Sequence, residues 1–366
     1  MIKTIFPLKD STLYQSSQSL NAGIDEILDL EKIVSSSGGD LFLSRPIIQF
    51  DTTAMSSSLA ARGIHTGSEV GNLRWYLKMF ISEERDINIE HSVKISAVSE
   101  SWVMGQGRKS NDPITTVGCS WAYTDGLSAG TAWAGGARGG STHSADEIPE
   151  VTQTFNNVTG DIDVDVTSIV EKWHNGTITN NGFLISRPMN QELNDTEYGK
   201  LSYFSKETHT IYPPRLEARY NTLEIAAMSQ SISGSDLVAI TADDDPIITA
   251  LLDPEYKYKT EARIELLVEP RYPLRSQGDS GGTTTVYNLP TGSTYSVEDY
   301  STGETVIPYT TTGSLVNIRS TGMSIDIDFT SLLPERIYQL FIKVPDLMYH
   351  NSVQYFEIPT LFKVVR

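Results

Sequence analysis

Asn72-Leu73-Arg74-Trp75-Tyr76-Leu77-Lys78-Met79-Phe80-Ile81-Ser82 and His91-Ser92-Val93-Lys94-Ile95-Ser96-Ala97-Val98-Ser99 flank the charged break Glu83-Glu84-Arg85-Asp86. Both runs are rich in aromatic and branched side chains, which suit a pleated, half-buried surface, so they read as β-strands parted by a turn. On the N-terminal side, residues 2–14 are spaced as a short strand that ends near Lys9-Asp10-Ser11 and restarts at Leu13 and Tyr14. Residues 24–34 fit either a short helix or a strand, and strand is preferred. Arg45-Pro46-Ile47-Ile48-Gln49-Phe50-Asp51 reads as a buried strand that tolerates Pro46 at its start. On the C-terminal side, a polar, glycine-rich stretch from 104 to 143 interrupts the pattern, and stretches of that length are usually binding or assembly loops. Strand patterns resume at 151–155, 162–166, 182–186, 201–205 and 216–220. A short amphipathic helix is expected at 167–174, where Ile169, Val170 and Trp173 share a face.

The 366 residues suffice for two domains. Apolar residues make up 39% and charged residues 20%, a balance that favours an all-β chain over a helical bundle. From about 221 onward, short alternating segments separated by Gly, Pro and Asp turns suggest a second, smaller sandwich of immunoglobulin-like or related topology. Asp299-Tyr300-Ser301-Thr302-Gly303-Glu304 is a good hairpin turn within it. The expected fold is therefore all-β: a jelly-roll-like β-sandwich over 1–220 and an immunoglobulin-like β-sandwich over 221–366.

A formal charge of −18 repels a phosphate backbone, so nucleic acid is not an expected partner. Cys119 is the single cysteine, which rules out an intrachain disulfide and a cysteine-built metal site. No run of ~18 apolar residues occurs, so no membrane-spanning helix is expected. Met1-Ile2-Lys3-Thr4-Ile5-Phe6-Pro7 lacks the apolar stretch and cleavage site of a secretory signal, so a role outside the cell would need a route other than the ordinary signal peptide.

Several motifs have a chemical and a plain reading. Gly278-Asp279-Ser280-Gly281-Gly282 spells a serine-protease nucleophile motif, but none of the six histidines sits in the context that chemistry uses, and a loop is expected there. Asp161, Asp163 and Asp165 alternate, so their carboxylates fall on one strand face that could bind Ca²⁺. Ile162, Val164 and Val166 explain the same pattern as an amphipathic strand with a solvated face. Asp243-Asp244-Asp245 before Pro246 reads as a solvated turn. Trp102, Trp121, Tyr123 and Trp133 lie in or beside the long loop, where they could stack on a sugar, anchor a neighbouring subunit or form a local core. No Walker loop, dinucleotide fingerprint or zinc motif is present, and no enzyme is expected.

Several fragments follow one another along the chain: Lys9-Asp10-Ser11-Thr12-Leu13-Tyr14, Asn21-Ala22-Gly23, Ile48-Gln49-Phe50-Asp51 and Trp133-Ala134-Gly135-Gly136. Val164-Asp165-Val166-Thr167 with Trp173 and Gly176, Asn181-Gly182-Phe183-Leu184-Ile185, and Phe204-Ser205 before Pro213-Pro214-Arg215-Leu216 continue the series. In this order they resemble the DNRLRE domains, β-sandwiches similar to carbohydrate-binding modules that occur in cell-surface and tailed-phage virion proteins. With the acidic charge and the absence of a secretion signal, the whole chain resembles a tailed-bacteriophage virion protein. That resemblance implies assembly in the host cytoplasm, release by lysis, other virion proteins as partners and a homo-oligomer or ring in the particle. A carbohydrate-binding adhesin that recognises a surface glycan is the alternative it allows.

Overall fold

A computed structural model describes residues 1–34, 41–64, 72–88, 90–126, 130–156, 160–222, 237–239, 246–271, 286–319, 322–345 and 353–366. The chain is all-β, and two compact units divide it: Ile5–Ser58 with Trp75–Glu217, and Met1–Thr4 with Leu59–Arg74 and Ala218–Arg366. The division at 220/221 read from the sequence groups Met1–Thr4 and Leu59–Arg74 with the first sandwich, whereas packing groups them with the C-terminal residues. The motif at 278–282 and the acidic run at 243–245 lie outside the described residues.

In chain order, β1 (Ile2–Ile5), β2 (Pro7–Tyr14), β3 (Ile27–Val34) and β4 (Leu41–Phe50) precede helix α1 (Thr53–Ala61). The ambiguous segment is thus a strand, β3. β5 (Arg74–Met79), β6 (Ile81–Arg85), β7 (Glu90–Ala97), β8 (Val151–Asn156) and β9 (Ile162–Asp165) lead to α2 (Thr167–His174). β10 (Phe183–Ser186), α3 (Met189–Leu193), β11 (Gly199–Phe204) and β12 (Arg215–Arg219) follow.

The large sheet of the first unit runs β6-β11-β3-β4-β10-β7-β8, with β2 also paired to β4, and β12, β5 and β9 are neighbours in a smaller sheet. The strand reading of residues 72–82 splits at Phe80 into β5 and β6, one in each sheet. β6 carries Glu83, Glu84 and Arg85 along an exposed edge, and such charges oppose edge-to-edge pairing. α2 falls where the spacing predicts, because Asp165 Oδ1 accepts the Thr167 N–H at 2.9 Å and Thr167 Oγ1 accepts the Trp75 N–H at 2.8 Å. Its Trp173 packs on Phe183 with ring centres 4.8 Å apart. α1 has no such signature: its sequence is Thr-Ala-Met-Ser-Ser-Ser-Leu-Ala-Ala, and only Leu59 is buried.

The second unit adds β13 (Leu237–Ala239), β14 (Pro246–Ala250), β15 (Glu255–Lys257), β16 (Glu261–Pro270), β17 (Val286–Asn288) and β18 (Thr294–Asp299). β19 (Thr305–Ile307), β20 (Asn317–Arg319), β21 (Gly322–Asp328), β22 (Arg336–Pro345), β23 (Val353–Glu357) and β24 (Phe362–Val365) complete it. One sheet runs β14-β16-β21-β20 and another β15-β24-β22-β18-β19 with β23 on β22. Ile264, Leu266 and Val268 of β16 and Ile325 and Ile327 of β21 share a core with Tyr295, Val297, Leu340, Ile342 and Val364 of the other sheet. Each such aliphatic side chain contributes about 1.5–3 kcal/mol on burial, so the alternation along β16 decides which face turns inward. The hairpin expected at 299–304 forms: Asp299 Oδ1 accepts the N–H groups of Ser301 and Thr302 at 2.9 and 3.1 Å.

Candidate functional site

The connection from β7 to β8 contains the long loop, and it folds back on itself. Val103 N–H donates to Thr124 O, Cys119 N–H to Val103 O and Thr124 N–H to Thr131 O, at 2.9, 2.6 and 2.8 Å. Asn21, fully buried, pins this hairpin-like body from the side. Its Nδ2 donates to Met104 O at 2.7 Å and Cys119 O at 2.9 Å, and its Oδ1 accepts from Gly107 N at 2.8 Å. Glycines make the close approach sterically feasible. A Cβ on Gly105, whose φ is +80°, would sit 2.3 Å from Asn21 Oδ1 and 2.4 Å from Val117 O.

The three tryptophans of the loop turn inward. Trp102, Trp121 and Trp133 are 3%, 4% and 1% exposed and form a core with Leu13, Leu43, Ile47, Val98, Cys119 and Leu184. The Trp102 and Trp133 indole N–H groups donate to Asn181 O and Ser120 O at 2.9 and 3.0 Å. Lys9 Nζ lies 4.1 Å over the Trp102 ring, and Arg45 Cζ lies 5.1 Å from the Trp121 ring. As sugar-stacking or subunit-anchoring candidates these three are corrected to local core, since no ring face is open. Tyr123 alone of the four is half-buried, and its N–H donates to Ser120 Oγ at 3.2 Å. Cys119, enclosed with them, has its thiol pushed up to about 12 by burial, which keeps it protonated and unreactive.

The alternating aspartates do not gather a metal site: among the described residues no group of three or more His, Cys, Asp or Glu could hold an ion. Asp161 Oδ1 accepts the Ile81 N–H at 2.9 Å, Asp165 Oδ1 starts α2, and the Asp163 N–H donates to Gln153 Oε1 at 3.0 Å. They organise strand ends and turns.

A polar cleft of about 360 Å³ opens beside the loop, lined by Tyr14, Asp25, Asp29, Glu83, Arg108, Lys109, Lys200 and neighbours. Its floor is Asp29, buried on β3. Asp29 Oδ2 accepts from Tyr14 Oη at 2.9 Å and Lys109 Nζ at 3.0 Å, and Oδ1 from Ser202 Oγ and Lys200 Nζ, each at 3.0 Å. Ser202 stands opposite Asp29 across the β11–β3 ladder, so the register itself delivers one donor. The loop delivers another, because Lys109 is fixed by its own N–H bond to Asp25 Oδ2 at 2.8 Å and its ammonium caps the Tyr14 ring at 4.4 Å. Burial opposes ionisation of Asp29, but Lys109 and Lys200 outweigh it and hold the carboxyl below its usual range. Burial and the neighbouring Asp29 push the Tyr14 phenol well up. Asp29 is therefore a fixed anion and Tyr14 a fixed donor, neither poised for proton transfer near neutrality. Each lysine uses one N–H on Asp29 and has others left to face the cleft. The arrangement suits recognition of polar groups, without an aromatic platform.

No local sequence pattern encodes the cleft or the pinning role of Asn21, although Tyr14 and Asn21 both belong to the motif fragments. An aromatic pair of one exposed and one half-buried ring also occurs where none was expected. Tyr309 and Tyr355 meet edge to face at 5.5 Å, with Lys343 Nζ 5.9 and 5.8 Å from their ring centres.

No protein-family model matches the chain, and no curated protein matches it significantly.

Proposed function

We propose that this chain is a structural, non-enzymatic component of a tailed-bacteriophage particle that docks on other virion subunits through the outer surface of its long loop. The observation that carries this reading is the polarity of the loop. Its tryptophans and Asn21 fix it from within, while Val103, Ile114 and Val117 are each about half exposed on its outside. Segments 103–105 and 117–119 lie side by side, since Cys119 N–H donates to Val103 O and Gly105 backs onto Val117 O. A rigid surface loses little conformational entropy on docking, and branched aliphatic side chains exclude water at the centre of a contact. The order of the motif fragments in the first 220 residues supports the particle as the setting.

Incorporation into particles tests the proposal. Val103→Asp with Val117→Asp leaves the circular dichroism and melting of the isolated chain unchanged and removes it from purified particles. Wild-type incorporation of that double variant contradicts the loop-docking reading.

A second reading, a glycan-binding adhesin, is favoured by the cleft around Asp29, whose spare lysine donors and rim carboxylates can meet hydroxyl groups. It requires saturable binding of a purified surface polysaccharide that Lys200→Met abolishes. The absence of saturable binding removes it.

A further inference from the structure

The cleft beside the long loop is built from two directions. Its floor is a row across three strands, in which Asp29 of β3 and Glu83 of β6 both stand opposite Ser202 of β11. Side chains alternate along a strand, so Lys200, two residues before Ser202, rises from the same face. The facing wall comes from the loop, which contributes Arg108 and Lys109. Two lysines from different elements thus meet on one carboxylate: Lys109 Nζ lies 3.0 Å from Asp29 Oδ2, and Lys200 Nζ 3.0 Å from Oδ1. Asp29 is 3% exposed and is held by Tyr14 and Ser202 as well, so it fixes both ammonium groups from below. Each ammonium has three N–H groups and spends one on Asp29.

The charges that line the cleft are of both signs and lie side by side. Asp25, Glu26 and Glu83 share it with the two lysines and Arg108. Arg108 faces Glu26 at 3.7 Å, and Glu83 is 3.4 Å from Arg85 outside the cleft. An anion drawn to the lysines therefore meets Asp25 and Glu83, and a cation drawn to those carboxylates meets the lysines. A neutral hydroxyl both donates and accepts, which matches donors and acceptors set next to one another. The volume, about 360 Å³, is near the lower end of small-molecule sites, which run from about 300 to 1,000 Å³, and suits a compact ligand.

We propose that the cleft recognises a single uncharged sugar ring through adjacent hydroxyl groups, which accept from Lys109 and Lys200 and donate to Asp25 or Glu83. This inference rests on the glycan-binding reading and narrows it: the ring is selected by the placement of its hydroxyls, and acidic and amino sugars are rejected. Asp29 is the positioning residue that aims the two lysines.

Saturation-transfer NMR on the full chain tests the inference, with the methyl glycosides of glucose, galactose and mannose beside their uronate and amino-sugar counterparts. At least one neutral glycoside binds saturably, and its affinity is level between low and high salt. Its charged counterparts bind about tenfold or more weakly, because each meets a like charge. Lys109→Met and Lys200→Met each abolish the signal while melting is retained. Should either variant fail to fold, titration of the wild-type chain decides: the amide resonances of Lys109, Lys200 and Ser202 move with the neutral glycoside. Tighter binding of a charged counterpart, or binding that leaves those amides unmoved, overturns the inference and spares the glycan reading. Binding of no sugar in the panel also overturns it, and the purified surface polysaccharide then decides whether the glycan reading falls too.

Discussion

At the scale of single residues, two buried polar groups of the N-terminal fragments set how the first unit behaves. Asn21 occupies the middle of the loop with two donated and at least one accepted bond. Asn21→Ala leaves Met104 O, Cys119 O and Gly107 N unsatisfied, and costs roughly 2–4 kcal/mol. Urea unfolding measures the loss, and hydrogen exchange at Gly107 and Gly118 accelerates locally. Asp10 is the second group. Burial pushes its carboxyl from 3.8 up to about 7, against the opposing pull of the Lys206 N–H, which donates to Oδ2 at 2.7 Å. Between those two values the folded chain holds a proton that the unfolded chain has released. Stability from this group therefore falls as pH rises from 3.8 to about 7, and is level above. Asp10→Asn keeps an acceptor for Lys206 N–H and removes that slope, so unfolding free energies of variant and wild type measured at pH 5 and pH 8 differ most at pH 8. An unchanged pH profile in Asp10→Asn contradicts the assignment.

At the scale of elements, legibility depended on whether a pattern reports its own environment. The alternation in β16, broken by the exposed Leu267, and the Ile169, Val170, Trp173 face of α2 name both the element and its buried side. α1 was illegible because small and hydroxylated residues carry no stripe. In the loop, glycine and polar residues announce an irregular segment but not which way its tryptophans point; that is decided by Leu13, Leu43, Ile47 and Leu184 from other strands. The aspartate alternation in β9 gave the strand and its exposed face, while the partners that occupy Asp161 and Asp165 come from β5–β6 and α2. The cleft needs the β11–β3 register, which no local pattern encodes. Because the loop is a core element in all but its outer face, Trp133→Ala costs about 3–5 kcal/mol. The same enclosure leaves Trp102, Trp121 and Trp133 inaccessible to acrylamide. All five tryptophans are buried, so strong quenching of the wild-type fluorescence contradicts the inward packing.

At the scale of the whole chain, both units bury apolar faces between or beneath sheets, and the strongly acidic charge favours solubility and repulsion between free copies. The docking we propose depends on local apolar surface that overcomes this repulsion, and Val103, Ile114 and Val117 expose such surface on the exterior of the loop. Cryo-microscopy of particles purified from a lysate of the source host tests the account most directly. It predicts the chain at fixed positions in the particle, with Val103 and Val117 buried against another subunit. Purified particles that lack the chain, or that carry it with this loop face in solvent, contradict the account.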